Sequence, residues 1–181
     1  MLVYSVIASL DGYVNDADGK FDWSAPDEEV HAFVNDQERE IGTYLYGRRM
    51  YEVLHYWETV PEHEPSPASR DYARIWRAAD KVVYSTTLRS APTGRTRIEP
   101  RFDPAAVRAL KEQGDVSVGG PSLAAFAIRA GLVDEYRLLV VPVAVGGGTP
   151  AFPAGFRVPL TLMDQRRFAN GAVSLRYRPR G

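Results

Sequence analysis

A chain of 181 residues can form one domain with a complete hydrophobic core and is too short for two ordinary domains. Its 22 basic and 23 acidic residues leave a formal net charge of -1, so no overall field favours binding to nucleic acid or to a membrane surface. The absence of cysteine excludes disulfides, thiolate catalysis and cysteine-ligated metal centres. The three histidines are not spaced as metal ligands, so we expect no metal site.

The N-terminus predicts a buried strand and not a targeting segment. Residues 3–8 are mostly apolar, the start lacks the basic residues of a signal peptide, and the apolar run ends at Asp11-Gly12. No apolar stretch is long enough to span a bilayer. We therefore expect a cytoplasmic protein.

Strand-like and helix-like segments alternate through the first two thirds of the chain. Short apolar runs predict strands, and apolar residues that recur every three or four positions predict helices. Proline and glycine mark some of the ends, such as Pro26 at the start of one helix and Gly131 after another. The predicted strands are 3–8, 43–46, 81–85 and 116–118, the predicted helices are 26–40, 48–57, 69–79, 104–113 and 121–130, and the predicted loops are 60–67 and 88–97.

The last third of the chain predicts antiparallel strands. A long apolar strand over 135–145 is broken by three glycines, and Asn170-Gly171 is a strong hairpin signal between predicted strands 160–168 and 172–177. Together with the earlier repeats, this predicts one α/β domain over residues 1–181, with three layers and helices on both faces of a mostly parallel sheet. The apolar strands at the antiparallel edge would need cover, so we expect a homodimer.

One junction between a strand and a helix has an unusual charge pattern. In open α/β sheets, ligands bind beyond the carboxyl ends of the strands, where helix N-termini point outward. After predicted strand 43–46 the sequence is Gly47-Arg48-Arg49. Cations in a first helical turn oppose the macrodipole by about 0.3–1 kcal/mol each, whereas a bound phosphate would reverse that sign. The arginines are therefore either part of a phosphate site or a solvated pair.

Two further junctions have compositions suited to a phosphorylated ligand. Gly119-Gly120-Pro121-Ser122 would let the backbone approach a ligand closely, and it offers free amides at the start of a helix. Ser85-Thr86-Thr87 places three hydroxyl groups at the end of a strand. Each segment alone also fits an ordinary turn or polar loop. The sequence contains neither a GxGxxG fingerprint nor the lysine of a Walker loop, which disfavours both of those folds.

Taken together, these segments resemble the dihydrofolate reductase-like family, which includes the reductase domain of riboflavin biosynthesis. Each motif is loose, but the order of the motifs along the chain matches that group. The matching segments are Ser9-Leu10-Asp11-Gly12, Gly47 to Glu52, Ser85-Thr86, Gly119 to Leu123, and a closing stretch with Gly131 to Glu135, Pro142 and Gly146 to Thr149.

The resemblance implies NADPH as the cofactor and hydride transfer to a C=N or C=O group of a small heterocycle. The substrate would be pteridine-like or a riboflavin-pathway aminopyrimidine, as in 5-amino-6-(5-phosphoribosylamino)uracil reductases. It would lie near the first strand and the first helix. Arg48 and Ser85 would lie near the 2′-phosphate of the cofactor, whose other contacts would come from Gly47, Arg49, Thr86, Thr87, Gly119, Gly120, Pro121 and Ser122.

Three carboxylates are candidate proton donors. The segment Trp23 to Glu28 looks like the part of dihydrofolate reductases where an acid holds the pterin ring; Glu28 falls closest to that acid, with Asp27 next and Asp11 third. A carboxyl group walled by Trp23 and Phe33, the candidate substrate contacts, would have a raised pKa and suit a donor near neutral pH. The alternative is structural, because acids favour the first turn of a helix and Asp-Gly is a common turn pair.

Two departures from the family fall on the substrate side. Val118 precedes Gly119 where riboflavin-pathway reductases commonly have glutamate, and residues 138–142 are wholly apolar where dihydrofolate reductase would have a pterin-contacting threonine. A sensor module that binds a dinucleotide without turnover is therefore the alternative to a reductase. A third hypothesis is an α/β domain without a cofactor, in which the glycines only form turns.

Overall fold

Eight strands form one sheet in the computed structural model, which describes residues 1–180. The first six strands pair in parallel, and the last strand runs antiparallel to both of its neighbours. The strands are β1 (Leu2–Ser9), β2 (Ile41–Gly47), β3 (Asp80–Tyr84), β4 (Thr96–Glu99), β5 (Asp115–Gly119), β6 (Glu135–Val141), β7 (Leu160–Arg167) and β8 (Val173–Pro179). Their order in the sheet is β4-β3-β2-β5-β1-β6-β8-β7.

Six helices and a 3-10 turn at Asp22–Ser24 connect these strands. The helices are α1 (Glu28–Glu38), α2 (Arg48–Leu54), α3 (Tyr56–Thr59), α4 (Pro67–Ala78), α5 (Pro104–Gln113) and α6 (Pro121–Arg129). Within residues 1–180, no helix combines the length and the apolar character needed to cross a membrane.

Alternate residues of the strands face opposite layers of helices, because side chains along a strand alternate between its two faces. Leu2 of β1 packs in one core with Leu123 of α6, whereas its neighbour Val3 packs in a second core with Trp76 of α4. Val30 of α1 lies in a third core, beside the strands at the antiparallel end. The prediction of a mostly parallel sheet between helical layers is confirmed.

The helices begin in two different ways. Asp27, Ser66 and Asp103 precede α1, α4 and α5, and their side-chain oxygens accept amide hydrogens of the first turn at 2.9–3.0 Å. By contrast, α2 and α6 begin at Gly47 and Gly120 and have no side-chain cap. The first amides of these two helices are therefore left for other partners.

Two local predictions were wrong. The end of the predicted loop 88–97 is the start of β4, an edge strand that pairs with β3. Its charged residues, such as Arg97 and Glu99, which lie 3.4 Å apart, do not form the apolar pattern from which a strand is predicted. The predicted helix 48–57 is divided into α2 and α3 at His55, whose ring Nδ1 lies 2.6 Å from the carbonyl oxygen of Glu52. An amphipathic pattern continues across this break, so the pattern could not reveal it.

The antiparallel addition follows the prediction closely. Strand β6 ends at Val141, before Pro142, and is therefore shorter than the predicted strand 135–145. The hairpin of β7 and β8 turns at Asn170-Gly171, where Asn170 Oδ1 accepts from the amide of Ala172 at 2.9 Å and Gly171 has a φ of +88°. Glycine adopts this left-handed conformation without strain, which explains the sequence signal.

Candidate functional site

The sheet brings the three glycine-rich or hydroxyl-rich junctions to one edge. Strands β3, β2 and β5 are consecutive neighbours, and they end within one residue of each other in register: Gly47 pairs with Tyr84, and Tyr46 pairs with Gly119. The loop after β3, the start of α2 and the start of α6 therefore emerge side by side. We name these segments the phosphate-site edge, because the sequence predicts that they bind a phosphorylated ligand.

Arg48 connects two parts of this edge. Its Nη1 donates to Thr87 Oγ1 at 3.0 Å, across 39 residues of sequence, and its Nε donates to Glu52 Oε1 at 2.8 Å. The arginine is exposed and retains N–H donors for a ligand. Arg49 is also exposed and makes no ion pair within the described residues 1–180. Two guanidinium groups thus stand beside the uncapped start of α2.

Ser85 shapes the loop after β3. Its Oγ accepts from the amides of Thr87 at 3.2 Å and Leu88 at 3.0 Å, and it lies 3.4 Å from Thr87 Oγ1. Thr86 and Thr87 are exposed at the tip. The serine holds the turn that presents the Thr87 hydroxyl to Arg48, which is a positioning role that its sequence motif did not predict.

Gly119 and Gly120 keep the start of α6 close to α2. A Cβ atom at Gly119 would stand 2.9 Å from Cε1 of Tyr46, which is closer than real Cβ contacts. Gly120 has a φ of +86°, and a Cβ atom there would lie 3.4 Å from Met50. Only glycine fits these positions without rearrangement. The following residues, Pro121 and Ser122, form the first turn of α6.

A row of three aromatic rings extends from the end of β3 to α6. The rings of Tyr84 and Phe102 have centroids 5.4 Å apart, and those of Phe102 and Phe126 are 6.1 Å apart. Phe126 is 59% exposed, which is unusual for so large an apolar side chain. Sequence reasoning missed this residue, because a phenylalanine inside an apolar helix normally predicts a core position.

Glu28 is occupied by a structural interaction. Its carboxylate accepts from the amide of Ala68 at 2.7 Å and from the hydroxyl of Ser66 at 2.8 Å, and it thus caps the N-terminus of α4. These two hydrogen bonds lower the pKa of the Glu28 carboxyl below its ordinary value. The expected raised pKa was therefore wrong. Phe33 lies five residues along α1 and packs against Phe168.

The other two carboxylates are also engaged. Asp27 caps α1 through a 2.9 Å bond from the amide of Val30. Asp11 accepts from the Ser9 hydroxyl at 2.7 Å, and from the amides of Gly146 at 2.7 Å and Val145 at 3.1 Å. The bonds from Ser9 and Gly146 lower the pKa of Asp11. Both side chains hold backbone in place in the geometry observed.

Asp11 belongs to a set of contacts between the loop after β1 and the glycine-rich loop after β6. Asn15 Oδ1 accepts from the amide of Thr149 at 2.8 Å, and the amide of Val14 donates to the Thr149 carbonyl at 2.9 Å. The loop after β1 lies at the carboxyl end of the sheet, between the substrate-side residues and the phosphate-site edge. Its position therefore depends on the glycine-rich loop.

The two candidate substrate contacts lie on the α1 side of the sheet. Trp23 and Phe33 are half-buried against the third core, and the indole N–H of Trp23 is buried without a hydrogen-bond partner in residues 1–180. The guanidinium of Arg166 lies over the Phe33 ring at 5.1 Å and pairs with Glu29 at 3.1 Å.

The comparison with known families agrees with this geometry. Residues 1–174 match the sequence profile of the RibD C-terminal domain. The chain belongs to the RibD C-terminal domain family. Among curated proteins, it is 28% identical to the uncharacterized protein YyaP of Bacillus subtilis (strain 168), over 97% of this chain and 93% of that protein.

Solved structures share the fold. The chain is 16% identical to a pyrimidine reductase-like protein of Corynebacterium diphtheriae, with a TM-score of 0.72 over 99% of this chain and 92% of that one. It is 17% identical to Acinetobacter baumannii RibD, with a TM-score of 0.73 over 99% of this chain and 57% of that chain. The predicted dihydrofolate-reductase-like fold is confirmed, and the chain spans little more than half of that RibD protein.

Proposed function

We propose that this protein is an NADPH-dependent reductase of a small heterocyclic substrate. One observation carries the proposal: the hydrogen bond between Arg48 and Thr87 joins the start of α2 to the loop after β3, beside the two neighbouring helix N-termini, of α2 and α6, that lack side-chain caps. Cations, hydroxyl groups and free amides converge there. This combination suits the phosphates of a dinucleotide.

The residues at the phosphate-site edge fit NADPH. The close approach at Gly119 and the left-handed Gly120 keep a backbone cradle open, since any side chain at Gly119 would meet Tyr46. We assign the 2′-phosphate to Arg48 and Thr87, and the pyrophosphate to the amides at the starts of α2 and α6. When bound, NADPH would supply the hydride that is transferred to the substrate.

The substrate would lie beside the carboxyl end of β1 and the start of α1. Because Glu28, Asp27 and Asp11 are held by structural hydrogen bonds, we do not assign a proton donor to them. The protein's part is to hold the substrate ring against the cofactor. A proton delivered from solvent completes the reduction.

The family supports a substrate related to the riboflavin pathway, such as an aminopyrimidine, with a pteridine as the other candidate. A binding module without turnover is a second function, and it is favoured by one observation: every carboxylate predicted as a proton donor has a structural partner instead. The rate of NADPH oxidation with aminouracil, dihydrofolate and biopterin substrates separates the two functions.

Titration with NADPH and with NADH tests the cofactor assignment. We expect NADPH to bind more tightly than NADH, and Arg48→Ala to reduce that preference by about tenfold, since a charge-assisted bond to phosphate contributes about 1.5–3 kcal/mol. Arg108→Ala is the matched control, because Arg108 is an exposed arginine of α5 outside the phosphate-site edge. Failure of both dinucleotides to bind would contradict the proposal, and an unchanged preference would exclude Arg48.

A further inference from the structure

The start of α1, beside the place proposed for the substrate, differs in charge from the helix starts at the phosphate-site edge. Asp27 accepts from the amide of Val30 at 2.9 Å, and the first turn of α1 contains Glu28 and Glu29. The first turns of α2 and α6 contain no acidic residue, and neither helix has a side-chain cap. Acidic groups at a helix start already satisfy the attraction of the helix dipole for negative charge. A phosphate is therefore favoured at α2 and α6 and disfavoured at α1.

The loop that leads to α1 adds further negative charge. Residues 10–30 contain seven acidic residues and one basic residue, Lys20. Lys20 lies in an exposed turn in which Asp16 Oδ1 accepts from the amides of Asp18 and Lys20 at 2.9 and 2.8 Å. The same turn therefore contains two carboxylates for one ammonium group. The loop beside the carboxyl end of β1 thus has a large excess of negative charge.

Two arginines from other elements lie near the start of α1, and both already have partners in the protein. Arg166 Nη2 donates to Glu29 Oε1 at 3.1 Å. Arg70 lies in the first turn of α4, which Glu28 caps, and its Nη1 donates to the backbone carbonyl of Glu64. The acidic end of the cleft therefore differs from the phosphate-site edge, where exposed guanidinium groups stand beside uncapped amides.

We propose that the substrate is a heterocycle without a phosphate or other anionic group. This inference rests on the proposed function, because it concerns the substrate of the same cleft. One end of the cleft suits the phosphates of the cofactor, and the negative charge at the other end repels an anionic substrate. Repulsion of this kind rejects a charged analogue whose ring would otherwise fit. The aminouracil 5-amino-6-(5-phosphoribosylamino)uracil carries a phosphate, so we expect this protein to prefer an aminouracil without that group.

Titration of the protein with NADP⁺ bound tests the proposal, because the oxidised cofactor prevents turnover. Two pairs of probes differ by one anionic group: an aminouracil riboside and its 5′-phosphate, and pterin and pterin-6-carboxylate. In each pair, we expect the probe without the anionic group to bind at least about tenfold more tightly. Raising the salt concentration from about 0.05 to about 0.5 M should narrow this difference, because salt screens the repulsion.

Glu29→Gln tests the contribution of charge directly. It removes one carboxylate from the first turn of α1 and leaves Arg166 without its ion pair, so the 5′-phosphate probe should bind about fivefold more tightly. Binding of the uncharged riboside should not change. Asp36→Asn is the matched control, because Asp36 pairs with Arg39 near the other end of the same helix. This variant should leave the affinities of both probes unchanged, and circular dichroism verifies that both variants are folded.

The outcomes distinguish this inference from the proposed function. Equal or tighter binding of the anionic probes by the wild type would overturn the inference and leave the reductase proposal intact. An unchanged preference in Glu29→Gln, together with a preference that does not respond to salt, would mean that shape and not charge excludes the phosphate, which also overturns the inference. Failure of the wild type to bind NADP⁺, or to bind any of the four probes, would overturn the proposed function and this inference together.

Discussion

Gly148 packs so closely against Asn15 that a Cβ atom built at Gly148 would overlap the carbonyl oxygen of Asn15. The φ angle of Gly148 is +132°, a backbone conformation that residues other than glycine rarely adopt. The contact lies between the loop after β1 and the glycine-rich loop after β6, beside the bond from the Thr149 amide to Asn15. Both the backbone angle and the lack of space therefore require glycine here.

Gly148→Ala is expected to destabilise the protein by about 1–3 kcal/mol, since the loop must move to relieve the overlap. Urea unfolding measures the change, and hydrogen exchange at the Val14 amide reports whether the loop after β1 is released. Gly147→Ala is the matched control: a Cβ atom there meets open space, so its effect should stay within about 0.5 kcal/mol. Equal stability of the two variants would show that the contact is unimportant.

Glu135 is a buried carboxylate that pairs with two arginines, one buried and one half-exposed. Its carboxylate accepts from Arg137 Nε at 2.8 Å and from Arg178 Nε at 3.0 Å, and the side chains of Glu135 and Arg137 are 1% and 8% exposed. Glu135→Gln removes the carboxylate that pairs with the buried guanidinium of Arg137, so we expect a loss of about 3–5 kcal/mol in urea unfolding.

The exposed pair of Arg95 and Asp80, 3.0 Å apart, provides the comparison for Glu135. Asp80→Asn removes one charge from a solvated pair and should cost less than about 1 kcal/mol. A Glu135→Gln variant as stable as Asp80→Asn would mean that Arg137 finds other partners or water.

The Glu28 cap of α4 makes stability depend on pH. The pKa of Glu28 is lower in the folded chain than its ordinary value of 4.5, so its contribution to stability is complete above that pH and is lost as the pH falls through the folded pKa. Glu28→Gln should therefore show a shallower loss of unfolding free energy than the wild type between about pH 6 and about pH 3.5.

Glu62→Gln is the control for this pH dependence, because Glu62 is an exposed loop glutamate without an ion pair in residues 1–180. Its profile should follow that of the wild type. If the profile of Glu28→Gln also follows that of the wild type, the Glu28 cap does not cause the loss of unfolding free energy at acid pH. If Glu28→Gln abolishes turnover of a substrate without changing stability, the carboxylate has the catalytic role that its geometry argues against.

If NADPH binds as proposed, we expect the exposed ring of Phe126 to stack on its adenine base. Stacking of a nucleobase on an aromatic side chain contributes about 1–3 kcal/mol, so Phe126→Ala should weaken NADPH binding by about fivefold or more. NADH should weaken equally, because both dinucleotides carry adenine, and this distinguishes Phe126 from Arg48. Tyr56→Ala removes a ring of similar exposure from α3 and should leave calorimetric affinities unchanged. Equal losses in both variants would refute a specific contact.

Most elements of the fold follow from local patterns in the sequence. The hairpin at Asn170-Gly171 and the helix that begins at Pro121 were predicted correctly, because turn and cap chemistry is set by neighbouring residues. Strand β4 was missed because its stabilisation comes from pairing with β3, which no pattern within Thr96–Glu99 shows. Non-local pairing decides short edge strands.

In the candidate site, too, some features follow from the sequence and others depend on contacts between distant parts of the chain. Gly47 and Gly119 lie at the ends of paired strands, as the motif order implied, because strand order and register bring them together. The hydrogen bonds of Glu28 could not be predicted from the sequence, because its partners Ser66 and Ala68 lie about forty residues away, at the start of another helix. A carboxylate at a helix start has the same local sequence whether it meets a substrate or a neighbouring helix.

A substitution of the glycine that precedes α2 would affect helix stability and the proposed ligand binding in opposite directions. Gly47 has φ and ψ of -75° and 162°, values that an aspartate cap adopts, and a Cβ atom there meets open space. Gly47→Asp would let the chain cap its own helix and gain a few tenths of a kcal/mol. The new carboxylate would occupy the place assigned to phosphate and repel it. On the proposed phosphate assignment, Gly47→Asp would therefore be more stable and would bind NADPH more weakly, so glycine at this position would favour ligand binding over stability.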